Sequence, residues 1–186
     1  MNRAHLEFCG GEEWRDALTQ WVIPNALDGT DLGDDVLGVG PGPALVTDHL
    51  RASVERLTVV EVDDALAAAL RDRLAGTNVE VVRGDATSMA FEDSRFTGAV
   101  SFTMLRHVPT TELQDRLFAE VARVLEPGAP FVMSDSLASD ELLVFHEGDT
   151  YNPVDPATVG DRLRSAGYAD VTVRQNEYGW AAIARR

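Results

Sequence analysis

Short β-branched or apolar runs alternate along this chain with helix-like stretches, and this alternation constrains the fold more than any other feature. The stretches between the runs carry apolar residues every three or four positions, the spacing of one helix face. Strands that alternate with helices become parallel neighbours joined by right-handed crossovers. We therefore expect an α/β fold with a doubly wound, mostly parallel sheet covered by helices on both faces. The first five predicted strands are Asp35 to Val39, Arg56 to Val62, Asn78 to Gly84, Gly98 to Phe102 and Ala129 to Asp135.

A helix-like stretch precedes the first strand. Trp14, Leu18 and Trp21 are spaced so that they fall on one helix face, and we expect both tryptophans to pack in the core. The alternative is that this helix lies over the mouth of a binding pocket, where both tryptophans could line it. A chain of 186 residues fits one domain and can bury a sizeable core. We therefore expect a single domain, 1–186, in which a helical lid or extension, 1–31, precedes a cofactor-binding core, 32–186.

The regular alternation stops after the fifth strand. The segment 136–153 is irregular, and long irregular connections in compact domains are often lids or binding loops. A helix that begins at Asp155-Pro156 follows, with Asp155 as its predicted cap. Two strand-like runs then flank Glu177-Tyr178, a spacing that suits an antiparallel hairpin. The expected sheet therefore has seven strands and ends in an antiparallel hairpin.

The stretch DDVLGVGPGPA, Asp34 to Ala44, places Gly38, Gly40 and Gly42 on alternate positions at the end of the first strand. Glycine lets the backbone turn sharply and lets a ligand approach its amides, because it has no Cβ. In an open α/β sheet, ligands bind outside the carboxyl ends of the strands, where this loop would lie. The sequence therefore predicts a ligand-binding loop here.

The spacing of these glycines argues against two common phosphate sites. The dinucleotide fingerprint G-x-G-x-x-G would need its third glycine at Pro43 or at Leu45. The phosphate-binding pattern G-x-x-x-x-G-K-[ST] is absent from the sequence. A nicotinamide-dependent oxidoreductase is therefore supported by the shared layout alone, and a P-loop nucleotidase has no support.

Two carboxylates follow neighbouring predicted strands. Glu61 lies 19 residues beyond Gly42, where a carboxylate can accept hydrogen bonds from both ribose hydroxyls of a nucleoside. Asp85 follows the third strand, where it can receive an adenine amino group while the amide of Ala86 approaches the ring. Each residue also has a local alternative, since Glu61 can be an ordinary strand-end carboxylate and Asp85 can cap a turn. Together the two carboxylates predict an adenosine pocket without phosphates.

From about Leu32 onwards the chain resembles a class I S-adenosylmethionine-dependent methyltransferase of the small-molecule, methyltransferase type 11-like kind. VLGVGPGPA resembles the family's first motif, and VVEVD resembles its ribose-binding segment. GDATSMAFEDSRFTGAVSFTMLRHVP resembles the adenine segment and fourth strand, RVLEPGAPFVMSD the fifth strand, and LRSAGYADVTV the closing helix and hairpin. The resemblance implies a Rossmann-like methyltransferase fold, S-adenosylmethionine as cofactor and methyl transfer to a small-molecule acceptor.

The resemblance also implies roles for individual residues. The glycine loop would line the methionine and ribose parts of the cofactor, Glu61 would hold the ribose, and Asp85 with Ala86 would hold the adenine. Val62 belongs to the ribose-binding segment, but we expect it to pack in the core rather than to contact the ligand. The implied cofactor-binding residues are Gly38, Gly40, Pro41, Gly42, Glu61, Val62, Asp85 and Ala86.

The chain departs from the family pattern at the first motif. Gly38 stands where the family has an acidic residue near the cofactor's ammonium group, and Ala44 stands where it has a third glycine. Loss of one charge-assisted hydrogen bond weakens binding by about 1.5 to 3 kcal/mol. Ala44 matters less if it already lies in the helix, where alanine is well tolerated. Gly38 leaves open an alternative, a methyltransferase-fold protein that has lost methyl transfer and acts as a cyclase, an isomerase or a non-catalytic partner.

His107, just past the fourth strand, is the predicted general base. Methyl transfer from a sulfonium is an in-line displacement that depends on alignment and exclusion of water, and a base helps only an acceptor that begins protonated. An imidazole titrates near neutral pH and suits this task. The alternative is that His107 only braces the loop. His146, Asp149 and Tyr151 on the irregular segment are candidates to line an acceptor pocket.

Composition bounds the partners. The chain has 16 Lys and Arg against 31 Asp and Glu, and its net charge of -15 would repel a phosphate backbone. Cys9 is the only cysteine, which excludes an intrachain disulfide and a cysteine-based zinc site. His5 and His49 have no supporting neighbours in the sequence, and with His107 they show no metal-ligand spacing.

No window of the sequence reaches the ~20 apolar residues of a membrane span. We expect a cytoplasmic protein that acts on a small molecule, with no metal and with neither a nucleic acid nor a membrane as partner. The sequence leaves the oligomeric state open, a homodimer included.

Overall fold

The structure, a computed structural model, describes residues 2–186. Helix α1 (Arg3–Cys9) opens the chain, and the side chain of Asn2 caps it by accepting a hydrogen bond from the His5 amide at 2.8 Å. A second helical stretch follows, built from α2 (Glu12–Ala17), a π-helical segment (Leu18–Val22) and α3 (Ile23–Leu27).

The π-helical segment changes which side chains share a face. A π-turn holds more residues than an α-turn, so Trp21 no longer follows the α-helical spacing from Trp14. Trp21 is 67% exposed, and the expectation that it packs in the core is wrong. Trp14 is half-buried against the core cluster that contains Leu18 and Ile23.

The described residues form a seven-stranded sheet in the order β3-β2-β1-β4-β5-β7-β6. Strands β1 to β5 are parallel, and β7 pairs antiparallel with both β5 and β6. The doubly wound α/β sheet with a C-terminal antiparallel hairpin is therefore confirmed. The strands are β1 (Asp35–Val39), β2 (Arg56–Glu61), β3 (Val79–Arg83), β4 (Gly98–Phe102), β5 (Pro130–Ser136), β6 (Asp170–Gln175) and β7 (Gly179–Arg185).

The remaining helices connect and cover these strands. Asp63, Thr110 and Asp155 cap the helices that follow them, because each side chain accepts a hydrogen bond from a first-turn amide. Within residues 2–186, no helix combines the length and the apolar character that a membrane crossing requires. The helices are α4 (Leu45–Leu50), α5 (Asp64–Arg73), α6 (Thr111–Val124), α7 (Asp140–Phe145) and α8 (Pro156–Ser165), with a 3-10 turn at Leu105–His107.

Alternate residues of β1 face the two sides of the sheet. Val36 is buried on the side covered by the N-terminal helices, where it joins the cluster of Leu18 and Ile23. Leu37 is buried on the opposite side, in the cluster that contains Leu117 of α6. Both layers are therefore filled, and β1 is buried between them.

Thr97 and Gly98 join the start of β4 to the segment before β1. The Thr97 hydroxyl lies 3.0 Å from the Leu32 carbonyl oxygen and 3.1 Å from that of Asp35, and it accepts a hydrogen bond from the Asp35 amide at 3.0 Å. A Cβ at Gly98 would lie only 2.4 Å from the Leu32 carbonyl oxygen. The close approach of the two backbones therefore requires glycine at this position.

Candidate functional site

A cavity of about 580 Å³ lies at the carboxyl ends of β1, β2 and β4. Its volume falls within the roughly 300–1,000 Å³ typical of small-molecule sites. Its apolar walls include Leu50, Val59 and Phe102, and Trp14 approaches from the N-terminal helices. All eight residues assigned to the cofactor by the sequence line this cavity, namely Gly38, Gly40, Pro41, Gly42, Glu61, Val62, Asp85 and Ala86.

The glycine loop after β1 needs its glycines. Gly40 and Gly42 have φ angles of 65° and 52°, in the left-handed region that glycine adopts without strain. A Cβ at Gly40 would lie 2.2 Å from Cγ of Met104, and the Gly40 amide donates to the Val60 carbonyl oxygen at 3.0 Å. The loop is thus fixed to β2 while its backbone stays open towards the cavity.

Ala44 lies outside α4, so the condition under which alanine would be well tolerated at this position is not met. It precedes α4 in the left-handed region, with a φ of 66°, which costs a non-glycine residue about 1–2 kcal/mol. Its methyl group is fully buried in a cluster with Leu70 and Leu74, and this burial offsets part of the strain. The third glycine of the family pattern would relieve this strain.

Gly38 is buried within β1. A Cβ at this position would lie 3.0 Å from Cγ1 of Val59, a contact that requires Val59 to shift. Val59 belongs to the cluster on the side of the N-terminal helices. An acidic side chain at position 38 would therefore have to displace an apolar neighbour before it could reach the cavity.

Glu61 ends β2 with its side chain buried against the cavity wall. Only 6% of the residue is exposed, and its Oε1 accepts a hydrogen bond from the Asp63 amide at 3.0 Å. Burial raises the pKa of this carboxyl above its ordinary 4.5, and the amides of Asp63, Gly42 and Val62 oppose the rise. A buried carboxylate beside a cavity is suited to accept hydrogen bonds from ligand hydroxyls.

Val62 and Asp85 lie at the rim of the cavity. Val62 is 62% exposed, so the expectation that it packs in the core is wrong, because the chain leaves the sheet directly after Glu61. Asp85 is exposed, and its Oδ1 accepts a hydrogen bond from the Thr87 amide at 2.8 Å, which is the local turn role considered as its alternative. Asp85 also lines the cavity, and its contact with a ligand remains a prediction.

His107 lies in the 3-10 turn after β4 and lines the cavity. Burial lowers the pKa of its imidazole from 6.5 to about 3. This pKa does not fit the near-neutral titration on which the prediction of a general base rested. A weakly basic imidazole is an inefficient proton acceptor at neutral pH.

His5 has neighbours that the sequence did not reveal. Its ring centroid lies 4.9 Å from that of His107 and 4.6 Å from that of His146, and the centroids of His107 and His146 are 5.1 Å apart. These histidines come from α1, the turn after β4 and the residue after α7, so no linear spacing could indicate the cluster. His49 is exposed on α4 and lies apart from it.

The irregular segment contains the short helix α7, which the sequence did not predict, and it contributes Asp149 and Thr150 to the cavity wall. Asp149 lines the cavity, with Oδ2 3.7 Å from Nδ1 of His5 and 3.9 Å from Nδ1 of His107. His146 and Tyr151 stack on each other, with ring centroids 4.6 Å apart. Among residues 2–186, neither of these two side chains lines the cavity.

Sequence reasoning missed the buried ion pair between Arg106 and Asp135. Arg106 directly precedes His107, and its guanidinium donates to Oδ1 of Asp135 at 2.8 Å. The Arg106 amide donates to Oδ2 of the same carboxylate at 3.1 Å. The end of β5 thereby holds the turn that carries His107.

Comparison with known proteins agrees with this geometry. The family described as methyltransferase domain matches residues 37–133. The chain is 27% identical over 152 residues to 24-methylenesterol C-methyltransferase 2 of Arabidopsis thaliana, covering 80% of this chain and 41% of that protein. It is 33% identical over 156 residues to a probable ribosomal RNA small subunit methyltransferase A of Halobacterium salinarum, covering 81% of this chain and 49% of that protein. The chain thus spans less than half the length of either relative.

The fold is similar to that of solved structures. An S-adenosylmethionine-dependent methyltransferase from Mesorhizobium loti superposes with a TM-score of 0.75 at 17% sequence identity, covering 92% of this chain and all of that one. At this level of identity the likeness establishes the fold alone.

Proposed function

The chain belongs to the methyltransferase-domain family and has the class I S-adenosylmethionine-dependent methyltransferase fold, and from this premise we propose that it transfers a methyl group from S-adenosylmethionine to a small-molecule acceptor. The observation that carries the proposal is the convergence of the assigned cofactor residues on one cavity, with the buried carboxylate of Glu61 in its wall. The left-handed glycines Gly40 and Gly42 bring the loop backbone to the cavity wall beside that carboxylate.

These residues fit the cofactor. Glu61 would hold the ribose hydroxyls, since its carboxylate is buried and faces the cavity. Gly40 and Gly42 would line the methionine and ribose parts, while Asp85 and Ala86 would hold the adenine at the rim. S-adenosylmethionine supplies, when bound, an electrophilic methyl group on a sulfonium whose leaving group is a neutral thioether.

The protein contributes alignment and exclusion of water to such a displacement. The apolar wall formed by Leu50, Val59 and Phe102 supports this role. His107 lines the same cavity, and we assign it the task of contacting the acceptor. With a pKa of about 3 its imidazole is neutral at neutral pH, so its ring would form part of the acceptor wall and would not act as a general base.

A small molecule is the proposed acceptor class. The net charge of -15 disfavours approach of a phosphate backbone, which argues against carrying over the ribosomal RNA substrate named for the Halobacterium relative. The sterol named for the Arabidopsis relative is a small molecule. The cavity volume of about 580 Å³ also favours a small-molecule ligand. A cytoplasmic location and the absence of a nucleic-acid partner are parts of this proposal.

Isothermal titration calorimetry with S-adenosylmethionine and its demethylated product tests the proposal. We expect saturable binding of both ligands, and Glu61→Ala should weaken each at least tenfold. Glu177→Ala is the matched control, because Glu177 is exposed in the turn between β6 and β7. Folded protein that gives no binding heat with either ligand would contradict the proposal.

Gly38 favours a second candidate function. A chain without the acid of the first motif can retain the fold and the nucleoside site while performing no methyl transfer, as a cyclase, an isomerase or a non-catalytic partner does. A carboxylate restored by Gly38→Glu should strengthen S-adenosylmethionine binding only if the protein is a methyltransferase, so this variant distinguishes the two functions.

A further inference from the structure

The histidine cluster formed by His5, His107 and His146 lies beside the cavity, and the methyl-transfer proposal leaves most of it unexplained. His5 and His146 are 4% and 2% exposed. One ring nitrogen of each histidine lies within 4.8 Å of those of the other two. Elements far apart in the sequence thus bring three potential ligand atoms into one cluster.

The hydrogen bonds of the cluster leave lone pairs inside it. Nδ1 of His146 lies 2.7 Å from the Leu142 carbonyl oxygen, and because a carbonyl only accepts, Nδ1 carries the proton and Nε2 carries the lone pair. Nε2 of His146, Nε2 of His107 and Nδ1 of His5 are buried and find no hydrogen-bond partner among residues 2–186. Burying polar nitrogens in this state is unfavourable, and such groups call for an explanation.

We propose that the histidine cluster binds a divalent transition-metal ion of the zinc type. Imidazole suits zinc, copper and nickel, and zinc sites with three protein ligands keep a fourth position open. Imidazoles that bind a tetrahedral ion at about 2.0–2.1 Å place their ring centroids about 5 Å apart. The observed separations are 4.6 to 5.1 Å.

The surrounding charges also accommodate a cation. The Asp149 carboxylate lies beside His5 and His107, with Oδ2 3.7 and 3.9 Å from their Nδ1 atoms. A carboxylate this close offsets the positive charge of an ion bound among the imidazoles. Arg106 is the opposing positive charge nearby, and its ion pair with Asp135 at 2.8 Å balances it.

The hydrogen bond between Nδ1 of His146 and the Leu142 carbonyl oxygen orients the His146 ring. Metal-binding histidines usually donate their other ring N–H to a carbonyl or a carboxylate, which fixes the tautomer. His5, His107 and Asp149 line the cavity. The fourth coordination position of the ion would therefore be accessible from the cavity. This inference does not rest on methyl transfer, because metal binding is measured without cofactor or acceptor.

Untagged protein freed of metal by chelation and dialysis is titrated with ZnCl2 in a calorimeter, and with Co²⁺ by visible absorption. We expect one ion per chain and the intense visible bands of four-coordinate Co²⁺. His146→Ala and His107→Ala should each weaken Zn²⁺ binding at least tenfold, whereas His49→Ala should bind as the wild type does.

If His146→Ala fails to fold, His146→Gln serves in its place, and circular dichroism verifies its fold. Wild-type protein that binds no Zn²⁺ at a single saturable site would overturn the proposal. Equal Zn²⁺ affinities for the wild type and the folded variants of His107 and His146 would also overturn it, because the ion would then bind elsewhere.

Discussion

The guanidinium of Arg106 lies 2.8 Å from the carboxylate of Asp135, and the two side chains are only 6% and 1% exposed. The same carboxylate accepts a hydrogen bond from the Arg106 amide. One acidic residue of β5 therefore holds both the side chain and the backbone of the turn that carries His107. The position of His107 at the cavity depends on this interaction.

Arg106→Met should lower the free energy of unfolding by about 3–5 kcal/mol, because it leaves the Asp135 carboxylate buried without a compensating charge. Urea denaturation measures the loss. Arg164→Met is the matched control, since Arg164 pairs with Asp161 at 3.0 Å where the side chains are 55% and 91% exposed. That substitution should cost less than about 1 kcal/mol, and equal losses for the two variants would contradict the prediction.

Glu61→Gln should separate stability from binding. Because burial raises the folded-state pKa of Glu61 above 4.5, the unfolded chain releases this proton first as the pH rises. The fold therefore loses stability from pH 4.5 upward until the folded-state pKa is passed. The variant lacks this loss, so denaturation at several pH values should show its advantage over the ligand-free wild type growing above pH 4.5.

The same Glu61→Gln variant should bind S-adenosylmethionine at least tenfold more weakly, because the neutral amide makes weaker hydrogen bonds to hydroxyls than a carboxylate does. Calorimetry at neutral pH measures this change. If the free energies of unfolding of Glu61→Gln and the wild type change in parallel across the pH range, the Glu61 side chain ionises in the fold as it does in the unfolded chain. That result would contradict the stability prediction.

Gly98→Ala should lower the free energy of unfolding by about 1–3 kcal/mol, because the new Cβ would lie 2.4 Å from the Leu32 carbonyl oxygen. Gly160→Ala provides the control with the opposite sign. Gly160 lies in α8, and a Cβ there would meet only the flexible end of Arg164 at 3.3 Å. Alanine should stabilise this helix by about 0.5–1 kcal/mol. Thermal unfolding should therefore shift down for Gly98→Ala and up for Gly160→Ala.

Gly38→Glu tests the second candidate function. Alone it should destabilise the protein, because its Cβ would lie 3.0 Å from Cγ1 of Val59. Combined with Val59→Ala it should bind S-adenosylmethionine about tenfold more tightly than Val59→Ala alone, the effect of one restored charge-assisted hydrogen bond. Calorimetry on the two variants makes the comparison. A double variant that binds no more tightly favours the function without methyl transfer.

Local signals in the sequence predicted most of the fold. Asp63 and Thr110 cap helices because each side chain accepts hydrogen bonds from amides two or three residues further along the chain. A short stretch of sequence is enough to predict such local contacts. The strand-helix alternation is equally local, and together with handedness it determined the parallel sheet. The residues of the cavity wall could then be predicted, because the carboxyl ends of parallel strands lie at the same edge of the sheet.

Contacts between distant segments were beyond the reach of the sequence. Ala44 adopts its left-handed conformation because the loop fits between neighbours, and nothing in alanine's own preference indicates this. Trp21 is exposed because a π-helical segment shifts its register. His5 meets His107 and His146 only after α1 folds back against the core. Each of these features depends on tertiary packing that a linear pattern does not encode.

Strand β7 lies between β5 and β6, although it follows both of them in the sequence. During synthesis the two earlier strands therefore emerge without the partner that joins them, and each presents an unpaired edge until Gly179–Arg185 becomes available. Completion of the sheet must therefore wait until these residues have been synthesised. A protease that removed this segment would divide the sheet and leave two exposed edges prone to aggregation.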